Sequence, residues 1–337
     1  MKAVICSEPG RLELVDRPKP GDPAEGWLRL AVSHVGICGT DYHIFQGKHP
    51  FLEYPRIMGH EISATVLDGG ASGLAAGSPV IVNPYISCGH CVACRKGKPN
   101  CCVAIRVLGV HTDGAFCEEI SVPAGNVYPA EGLSLEAAST VEFLAIGAHA
   151  VRRAAMEAGS RSLVIGAGPI GLGTALFSRI AGHDVVLMDT AAERLAMARD
   201  RFGFDGILVG GAMARGIADR TGGEGFDVVF DATGYGASME ASFAHVAHGG
   251  TLVFVSVVKD DIRFSDPEFH KREMTLIGSR NALRADFEHV VSSIRAGDVP
   301  VDDLITHRTT LDAVPADLAR WADEKSGLIK ATVRIGA

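Results

Sequence analysis

Short runs of alternating apolar and polar residues, separated by Gly and Pro, dominate the first part of the chain. Alternation of this kind is typical of β-strands that bury one face. Helical periodicity is nearly absent before residue 125, so we predict an irregular β domain there. Its strands are expected at Lys2–Cys6, Arg11–Val15, Trp27–His34, Ile62–Asp68, Pro79–Asn83 and Cys117–Val122.

The pattern changes near Leu133, where a long Ala-rich helical stretch begins, and Ser134 is placed to cap its first turn. From there apolar runs alternate with helical segments such as Ala191–Phe202 and Gly236–Ala247. Six buried strands joined by helical crossovers predict a doubly wound parallel sheet. The strands are expected at Ser162–Gly166, Asp184–Asp189, Gly206–Val209, Asp227–Asp231, Thr251–Ser256 and Thr275–Ser279.

A helix over Arg284–Ala296 and short strand-like pieces ending at Ile335 follow the sixth strand. Because the sheet is complete without them, we expect this segment to return to the first domain. The predicted fold class is α/β. It comprises an irregular β domain over residues 1–133, a doubly wound domain over 134–280, and a C-terminal return over 281–337.

Composition and charge exclude several classes of function. The 337 residues are 47% hydrophobic and 21% charged, which argues against intrinsic disorder. The formal net charge is −8 and no basic stripe stands out, so neither a nucleic acid nor a membrane is expected as a partner. The N-terminus lacks an apolar signal segment, and the 17-residue apolar stretch between Arg161 and Arg179 is broken by Gly and Pro. These features predict a cytoplasmic protein.

A glycine-rich turn follows the first strand of the predicted sheet and opens a helix. Gly166, Gly168 and Gly171 form the pattern G-x-G-x-x-G. The first glycine allows the tight turn, the second lets the backbone approach a pyrophosphate, and the third lets helix and strand pack closely. The helix N-terminus then faces the phosphates. The context predicts a dinucleotide site; the alternative is a generic turn of an α/β fold.

Asp189 ends the next strand, where a carboxylate can accept hydrogen bonds from ribose hydroxyls and would repel a 2′-phosphate. We therefore predict NAD rather than NADP. Arg194, five residues later, softens that preference. The alternative role for Asp189 is to cap the following helix.

Four of the eight cysteines form a cluster with short spacings: Cys88, Cys91, Cys94 and Cys102. Four thiolates so spaced can surround one tetrahedral ion, which predicts structural zinc in a lobe at about residues 85–104. Disulfides are disfavoured in a reducing compartment. An iron–sulfur cluster is the other alternative, but its spacing pattern continues differently after the third cysteine. Cys101 is the rival of Cys102 for the fourth position.

A second group of chemically active residues is spread along the chain. Cys38 lies close before Thr40 and His43, while His60 and Glu61 follow in the segment G-H-E, and Glu142 comes much later. A thiolate, an imidazole and an acid are what a catalytic zinc with one open position requires.

The chain resembles the zinc-dependent medium-chain alcohol dehydrogenases over nearly its whole length. The shared motifs are G-I-C-G-T-D-x-H, G-H-E, the four-cysteine lobe, V-I-G-A-G-P-I-G-L and the late G-S-R. The resemblance implies a GroES-like catalytic domain built from both chain ends, with a Rossmann domain between them. It departs from the family pattern at Phe143, where Pro is usual, at Ala64, where Gly is usual, and in the turn at residues 77–80.

The resemblance also implies roles. Cys38 and His60 bind the catalytic zinc, with Glu61 or Glu142 as the acid ligand, and the cysteine lobe binds a second zinc ion. Thr40 takes the substrate hydroxyl proton and His43 relays it to solvent, while Asp41 accepts the free N–H of His60. Contacts to NAD are expected from Gly166, Gly168, Pro169, Ile170, Gly171, Asp189, Arg194, Thr233, Val255, Ser256 and Ser279.

The substrate expectation rests on the family resemblance and on three features, which are Glu142, Arg280 and the polar loop that carries Gln46, Lys48 and His49. The segment Glu142-Phe143-Leu144 resembles E-P-L of the sorbitol dehydrogenase branch. The segment 278–280 and the loop 46–54 resemble members that oxidise L-galactonate or L-gulonate at C5. Glu142 and Arg280 are the expected substrate contacts, because Arg can pair a carboxylate through two parallel bonds. Arg280 is alternatively a cofactor contact. Gln46, Lys48 and His49 add polar groups on the loop.

The predicted function is hydride transfer from a secondary hydroxyl of a small-molecule sugar acid or polyol to NAD. The enzyme alternative is an L-threonine 3-dehydrogenase. A non-catalytic NAD-binding protein is the other alternative, although it would not need an open zinc position. A homodimer or homotetramer is expected.

Overall fold

The computed structural model describes residues 1–48, 53–324 and 326–336. Its strands are β1 (Lys2–Glu8), β2 (Arg11–Asp16), β3 (Trp27–Ile37), β4 (Arg56–Ile57), β5 (Glu61–Asp68), β6 (Pro79–Val82), β7 (Tyr85–Ile86), β8 (Arg106–Val107), β9 (Glu119–Pro123), β10 (Val127–Pro129), β11 (Arg161–Ile165), β12 (Asp184–Asp189), β13 (Asp205–Leu208), β14 (Phe226–Asp231), β15 (Val246–Phe254), β16 (Thr275–Gly278), β17 (Ile305–Thr310) and β18 (Lys330–Arg334). Its α-helices are α1 (Gly39–Phe45), α2 (Val92–Arg95), α3 (Leu135–Ala138), α4 (Val141–Ala154), α5 (Pro169–Ile180), α6 (Ala192–Phe202), α7 (Met213–Thr221), α8 (Gly236–Ser242), α9 (Asp266–Lys271), α10 (Arg284–Ala296), α11 (Val301–Leu304) and α12 (Val314–Asp323).

The chain forms two compact units. The first comprises Met1–Glu142, Val291–Gly297 and Leu304–Ala337, and the second comprises Phe143–Val290 and Asp298–Asp303. The first boundary therefore falls inside α4, whereas the sequence pattern placed it at residue 133. The short helix α3 accounts for part of the difference, because it packs on strands of the first unit and the Leu135 carbonyl accepts from Ser63 Oγ at 2.5 Å.

The first unit is built around a seven-stranded sheet in the order β10-β6-β5-β3-β18-β17, with β9 also paired to β3. The C-terminal strand β18 lies antiparallel to β3, with Val333 opposite Val35. The last segment of the chain is thus part of the first unit's central sheet. A buried cluster that includes Leu30, Val35 and Val333 packs on this sheet.

The second unit contains a six-stranded parallel sheet in the order β13-β12-β11-β14-β15-β16. In chain order this is 3-2-1-4-5-6, the doubly wound arrangement with its reversal beside the first strand. The central strands β11 and β14 are mostly buried, as expected when helices cover both faces of a parallel sheet. Leu163 and Val229 of the two central strands are fully buried. The predicted fold class is confirmed.

Two helix predictions were too long. The stretch after Ser134 breaks at Ser139 and Thr140, whose hydroxyls donate at 2.7 Å to the carbonyls of Glu136 and Ala137 and compete with helical bonding. Ser134 does cap the first piece, since its Oγ accepts from the Ala137 amide at 3.1 Å. The helix predicted over Gly236–Ala247 ends at Ser242 because Val246 instead pairs with Phe226 in the sheet.

Candidate active site

Cys38 lies at the junction between β3 and α1, where it precedes the first helical residue. The buried carboxylate of Asp41 fixes this junction, because its Oδ2 accepts from the Cys38 amide at 2.9 Å. Its Oδ1 accepts from the Gly59 amide at 3.2 Å. Asp41 therefore joins the Cys38 turn to the segment that carries His60. Asp41 Oδ1 lies 3.9 Å from His60 Nδ1, so the predicted hydrogen bond between these two residues is not formed.

Cys38, His60 and Glu61 place one ligand atom each within 4.8 Å of one another. His60 and Glu61 are buried, and Cys38 is half-buried. A thiolate, an imidazole and a carboxylate at such spacing suit a tetrahedral zinc ion with a fourth position open. Burial alone would lower the pKa of His60, but the charges of Cys38 and Asp41 raise it well above its ordinary value.

Glu61 has a partner that sequence reasoning missed. Lys330 Nζ lies 2.7 Å and 2.8 Å from its two carboxylate oxygens and 3.2 Å from the Ile37 carbonyl. Burial would lower the pKa of Lys330, but the Glu61 charge outweighs it and raises the pKa. A lysine inside the apolar strand β18 was the available signal, since a buried lysine requires a paired charge.

Glu142 lies in the first turn of α4 and is 3% exposed. It does not belong to the group formed by Cys38, His60 and Glu61. The Tyr85 hydroxyl donates a hydrogen bond to its Oε1. Burial raises the pKa of Glu142 to about 7, and the nearby charge of Glu61 adds to the increase. Tyr85 is the second residue that sequence reasoning missed; the segment Asn83-Pro84-Tyr85 before the cysteine lobe carried no recognised motif.

The two relay candidates occupy different surroundings. Thr40 Oγ1 lies 3.8 Å from Cys38 Sγ, so its hydroxyl is beside the thiolate. His43 lies in the last turn of α1 and is exposed. The position of Thr40 is suited to a reacting hydroxyl, and that of His43 to exchange with water.

The cysteine lobe brings together Cys88, Cys91, Cys94 and Cys102, with the sulfur atoms within 4.8 Å of one another. The Cys91 and Cys94 sulfurs are 3.5 Å apart. Zn–S bonds of about 2.3 Å in a tetrahedron place sulfurs roughly 3.8 Å apart, so the spacing fits zinc.

The lobe stabilises thiolate through its backbone. Amides of Cys94 and Val103 bond to the Cys91 sulfur and lower its pKa to about 6, whereas burial raises the pKa of Cys94 to about 11. Cys102 is buried, and its sulfur accepts from the Cys88 amide at 3.2 Å. Cys101 is exposed, so the structure brings Cys102 rather than Cys101 to the group.

The glycine-rich turn has the geometry that a dinucleotide site requires. Gly166 adopts a positive φ of 98°, and a Cβ on Gly171 would stand 1.7 Å from the Gly166 carbonyl oxygen. Both positions therefore exclude larger residues. Gly168 precedes Pro169 and Ile170 at the start of α5, and a Cβ there would meet nothing within 4 Å. Open space at a helix N-terminus suits a pyrophosphate.

Asp189 ends β12 and is 7% exposed. Its oxygens accept from the Ala167 amide at 2.7 Å and the Ala191 amide at 2.8 Å. The carboxylate is therefore held rigidly beside the glycine-rich turn, and Arg194 Nη1 lies 3.7 Å from it. Asp189 thus performs the alternative role of shaping the start of α6, and its contact with the ribose stays a prediction.

The remaining cofactor candidates lie after neighbouring strands of the second unit. Buried Asp231 accepts from the amide and hydroxyl of Thr233, at 3.0 Å and 2.7 Å. Val255 is buried, and Ser256 Oγ accepts from the Gly234 amide at 2.7 Å. The Ser279 amide bonds to the Phe254 carbonyl at 2.9 Å. Hydrogen bonds thus connect the loops after β14 and β15 to each other, and the loop after β16 to the neighbouring strand β15.

The substrate candidates are less closely defined. Arg280 lies after β16 in the second unit and is exposed. In the first unit, Lys48 donates to Gln46 at 3.0 Å. His49, which was also proposed to border the substrate, lies outside the described residues.

Comparisons with known proteins agree with this geometry. Residues 24–132 match the alcohol dehydrogenase GroES-like domain, and residues 169–296 match the zinc-binding dehydrogenase family. The chain is 40% identical over 337 residues to L-galactonate-5-dehydrogenase of Escherichia coli K12, covering 99% of this chain and 98% of that one. The chain belongs to the zinc-binding alcohol dehydrogenase family.

A further relative and a solved structure support the placement of this chain in the alcohol dehydrogenase family. It is 30% identical to 2-dehydro-3-deoxy-L-galactonate 5-dehydrogenase of Pseudoalteromonas atlantica, covering 94% of this chain and 93% of that one. A solved structure of the alcohol dehydrogenase RspB from E. coli CFT073, complexed with NADH, matches with a TM-score of 0.92 at 27% identity. That match covers 99% of each chain. The family resemblance inferred from the motifs is confirmed, and the protein is an oxidoreductase.

Proposed function

We propose that this dehydrogenase oxidises a secondary hydroxyl of a sugar acid or polyol to a ketone, with aldonates favoured and NAD as hydride acceptor. The observation that carries the proposal is the group of half-buried Cys38 with buried His60 and Glu61, together with a second buried carboxylate, Glu142, nearby. A carboxylate in that place disfavours an apolar alcohol and accepts hydrogen bonds from a hydroxylated chain. The names of the two relatives, both acting on galactonate derivatives, support the substrate class.

Cys38 and His60 would hold the catalytic zinc, with Glu61 or Glu142 as the acid ligand. When bound, zinc supplies Lewis-acid polarisation of the substrate hydroxyl and lowers its pKa. Thr40, beside the thiolate, accepts the hydroxyl proton, and the exposed His43 passes it to water. Cys88, Cys91, Cys94 and Cys102 would hold the second zinc, which stabilises their lobe.

The second unit would bind NAD through the turn at Gly166–Gly171, with Asp189 accepting from the adenosine ribose. Thr233, Val255, Ser256 and Ser279 contribute contacts from the neighbouring strand ends. Arg280 would pair with the substrate carboxylate. Its exposed guanidinium leaves a cofactor contact as the competing role.

A homodimer or homotetramer in the cytoplasm is part of the proposal. The edge strand β16 supports self-association, because it is at the end of the parallel sheet and three of its four residues are exposed. Such an edge is a template for pairing with another chain. Among the described residues, no helix is long and apolar enough to cross a membrane.

The deciding experiment is an activity panel of the zinc-loaded enzyme with NAD, covering L-galactonate, L-gulonate, sorbitol, L-threonine and ethanol. We expect the highest kcat/KM with an aldonate. Substituting Arg280→Lys should raise KM for aldonates much more than for sorbitol, because Lys cannot reproduce two parallel bonds. A preference for threonine or ethanol would contradict the proposal. A higher KM for NAD in the Arg280→Lys variant would instead assign Arg280 to the cofactor.

A further inference from the structure

Tyr85 is buried and contacts a residue of the candidate active site in a fixed direction. Its hydroxyl donates to Glu142 Oε1, and its backbone is held on both sides. The Tyr85 amide donates to Asn83 Oδ1 at 3.0 Å, and Asn126 Nδ2 donates to the Tyr85 carbonyl at 3.1 Å. The phenol therefore reaches Glu142 from a strand whose position is fixed independently.

The buried carboxylates of Glu61 and Glu142 differ in the number of hydrogen bonds that they accept. Each oxygen of Glu61 already accepts from the Lys330 ammonium, at 2.7 Å and 2.8 Å. In the described residues, Glu142 receives one donor, the Tyr85 hydroxyl, and that donor is on Oε1. No donor to Oε2 of Glu142 is found among the described residues, so this oxygen can accept a hydrogen bond from a bound ligand.

We propose that Tyr85 determines substrate specificity by positioning Glu142. By holding Oε1, it keeps Oε2 as the acceptor for a hydroxyl on the carbon next to the one that is oxidised. A substrate with that neighbouring hydroxyl satisfies the carboxylate, whereas a simple secondary alcohol leaves it unpaired. This inference rests on the proposed function, since it names the feature of a sugar acid or polyol that the site recognises.

The test compares Tyr85→Phe with Tyr128→Phe in the zinc-loaded enzyme. Tyr128→Phe is the control for the anchoring of Tyr85, because Tyr128 is buried and its hydroxyl accepts at 3.0 Å from the Nδ2 of Asn83, which also holds the Tyr85 amide. This variant removes a phenol next to Asn83 but keeps the one that reaches Glu142. The substrates are butane-2,3-diol and butan-2-ol, which differ only in the neighbouring hydroxyl. We expect the wild type to favour the diol and Tyr85→Phe to reduce that preference about tenfold, mainly through KM. Tyr128→Phe should keep the wild-type ratio.

A binding measurement without turnover provides the second readout. Titration of the enzyme–NADH complex with the diol, followed by NADH fluorescence, should show an approximately tenfold higher Kd for Tyr85→Phe. Equal losses for both alcohols, an unchanged ratio, or an unchanged Kd would overturn the role of Tyr85. Failure to oxidise any aldonate or polyol in the substrate panel would refute the proposed function instead. The ratio of kcat/KM for butane-2,3-diol to that for butan-2-ol is measured independently of the substrate panel.

Discussion

Lys330 and Glu61 form a buried ion pair between the last strand of the first unit's sheet and the start of β5. The ammonium lies 2.7 Å and 2.8 Å from the two carboxylate oxygens, and the residues are 2% and 0% exposed. Since the Glu61 carboxylate also lies within 4.8 Å of the ligand atoms of Cys38 and His60, Lys330 compensates charge directly beside the proposed metal site.

Substituting Lys330→Met should destabilise the protein by about 3–5 kcal/mol, because it leaves the Glu61 charge buried and unpaired. Urea unfolding measures the change. The control is Lys2→Met, which removes an exposed ion pair with Asp312 and should change the stability much less, because solvent screens exposed charges. Equal effects of the two substitutions would show that the buried pair contributes no more than a surface one.

Gly36 provides the space that the Glu61 carboxylate occupies. A Cβ at residue 36 would stand 2.0 Å from Glu61 Oε2, so Gly36→Ala must displace the carboxylate. We expect kcat/KM to fall at least tenfold and the free energy of unfolding by about 1–3 kcal/mol. Gly125→Ala is the control, since a Cβ there meets nothing within 4 Å. Wild-type kinetics for Gly36→Ala would show that the precise position of Glu61 is unimportant.

The sequence predicted the sheets and most of the proposed site because the relevant signals are local. The turn at Gly166 and the cysteine spacing each lie within a short segment, and their chemistry follows from residue type. Lys330 and Tyr85 were missed because their roles come from pairings that the fold creates. Lys330 is 269 residues from Glu61, and Tyr85 is 57 residues from Glu142. Helix ends were missed at residues 139 and 246, where side-chain hydroxyls and sheet pairing override helical periodicity.

Two zinc ions with separable roles are expected per chain. Cys91→Ser should lower the melting temperature and reduce the zinc content, since it opens a four-thiolate site. Cys38→Ser should retain the fold but abolish turnover. Metal analysis with thermal unfolding checks both, and the exposed Cys101→Ser is the control. A single zinc in the wild type, or iron with visible absorption, would refute this assignment.

Asp189 should set the preference for NAD. Its carboxylate would repel a 2′-phosphate, so Asp189→Gly should narrow the ratio of kcat/KM for NAD to that for NADP. The ratio is the informative quantity, because Asp189 also holds the amides of Ala167 and Ala191 and its loss will weaken both reactions. Equal or better wild-type activity with NADP would refute the role.

A buried cluster in the second unit gives a pH dependence that is separate from the metal sites. Asp286 accepts from His149 Nδ1 at 2.8 Å and from Arg152 Nε at 2.7 Å. Burial alone would raise the pKa of Asp286, but these hydrogen bonds outweigh it and lower the pKa to about 2. Its ordinary pKa is about 3.9. The stabilisation is therefore complete above about pH 4 and is lost as the pH falls towards 2.

The expected size of this contribution is about 2 kcal/mol. Urea unfolding of the wild type and Asp286→Asn at pH 6, 4 and 3 should show a difference in stability that shrinks as the solution becomes more acidic. Asp219→Asn, which removes an exposed ion pair with Arg215, should leave the profile unchanged. A difference that stays constant with pH would mean that Asp286 is not ionised in the folded protein.

The pairing of β18 with β3 affects how the protein is made. During synthesis the chain emerges from its N-terminus, and domains generally fold as they appear. The segment that carries Cys38, His60 and Glu61 is translated early, but β3 receives its neighbour β18 only when synthesis has reached residues 330–334. The second unit ends at Asp303 and is wholly translated by then. All residues of the second unit are therefore available for folding before the central sheet of the first unit can be completed by β18.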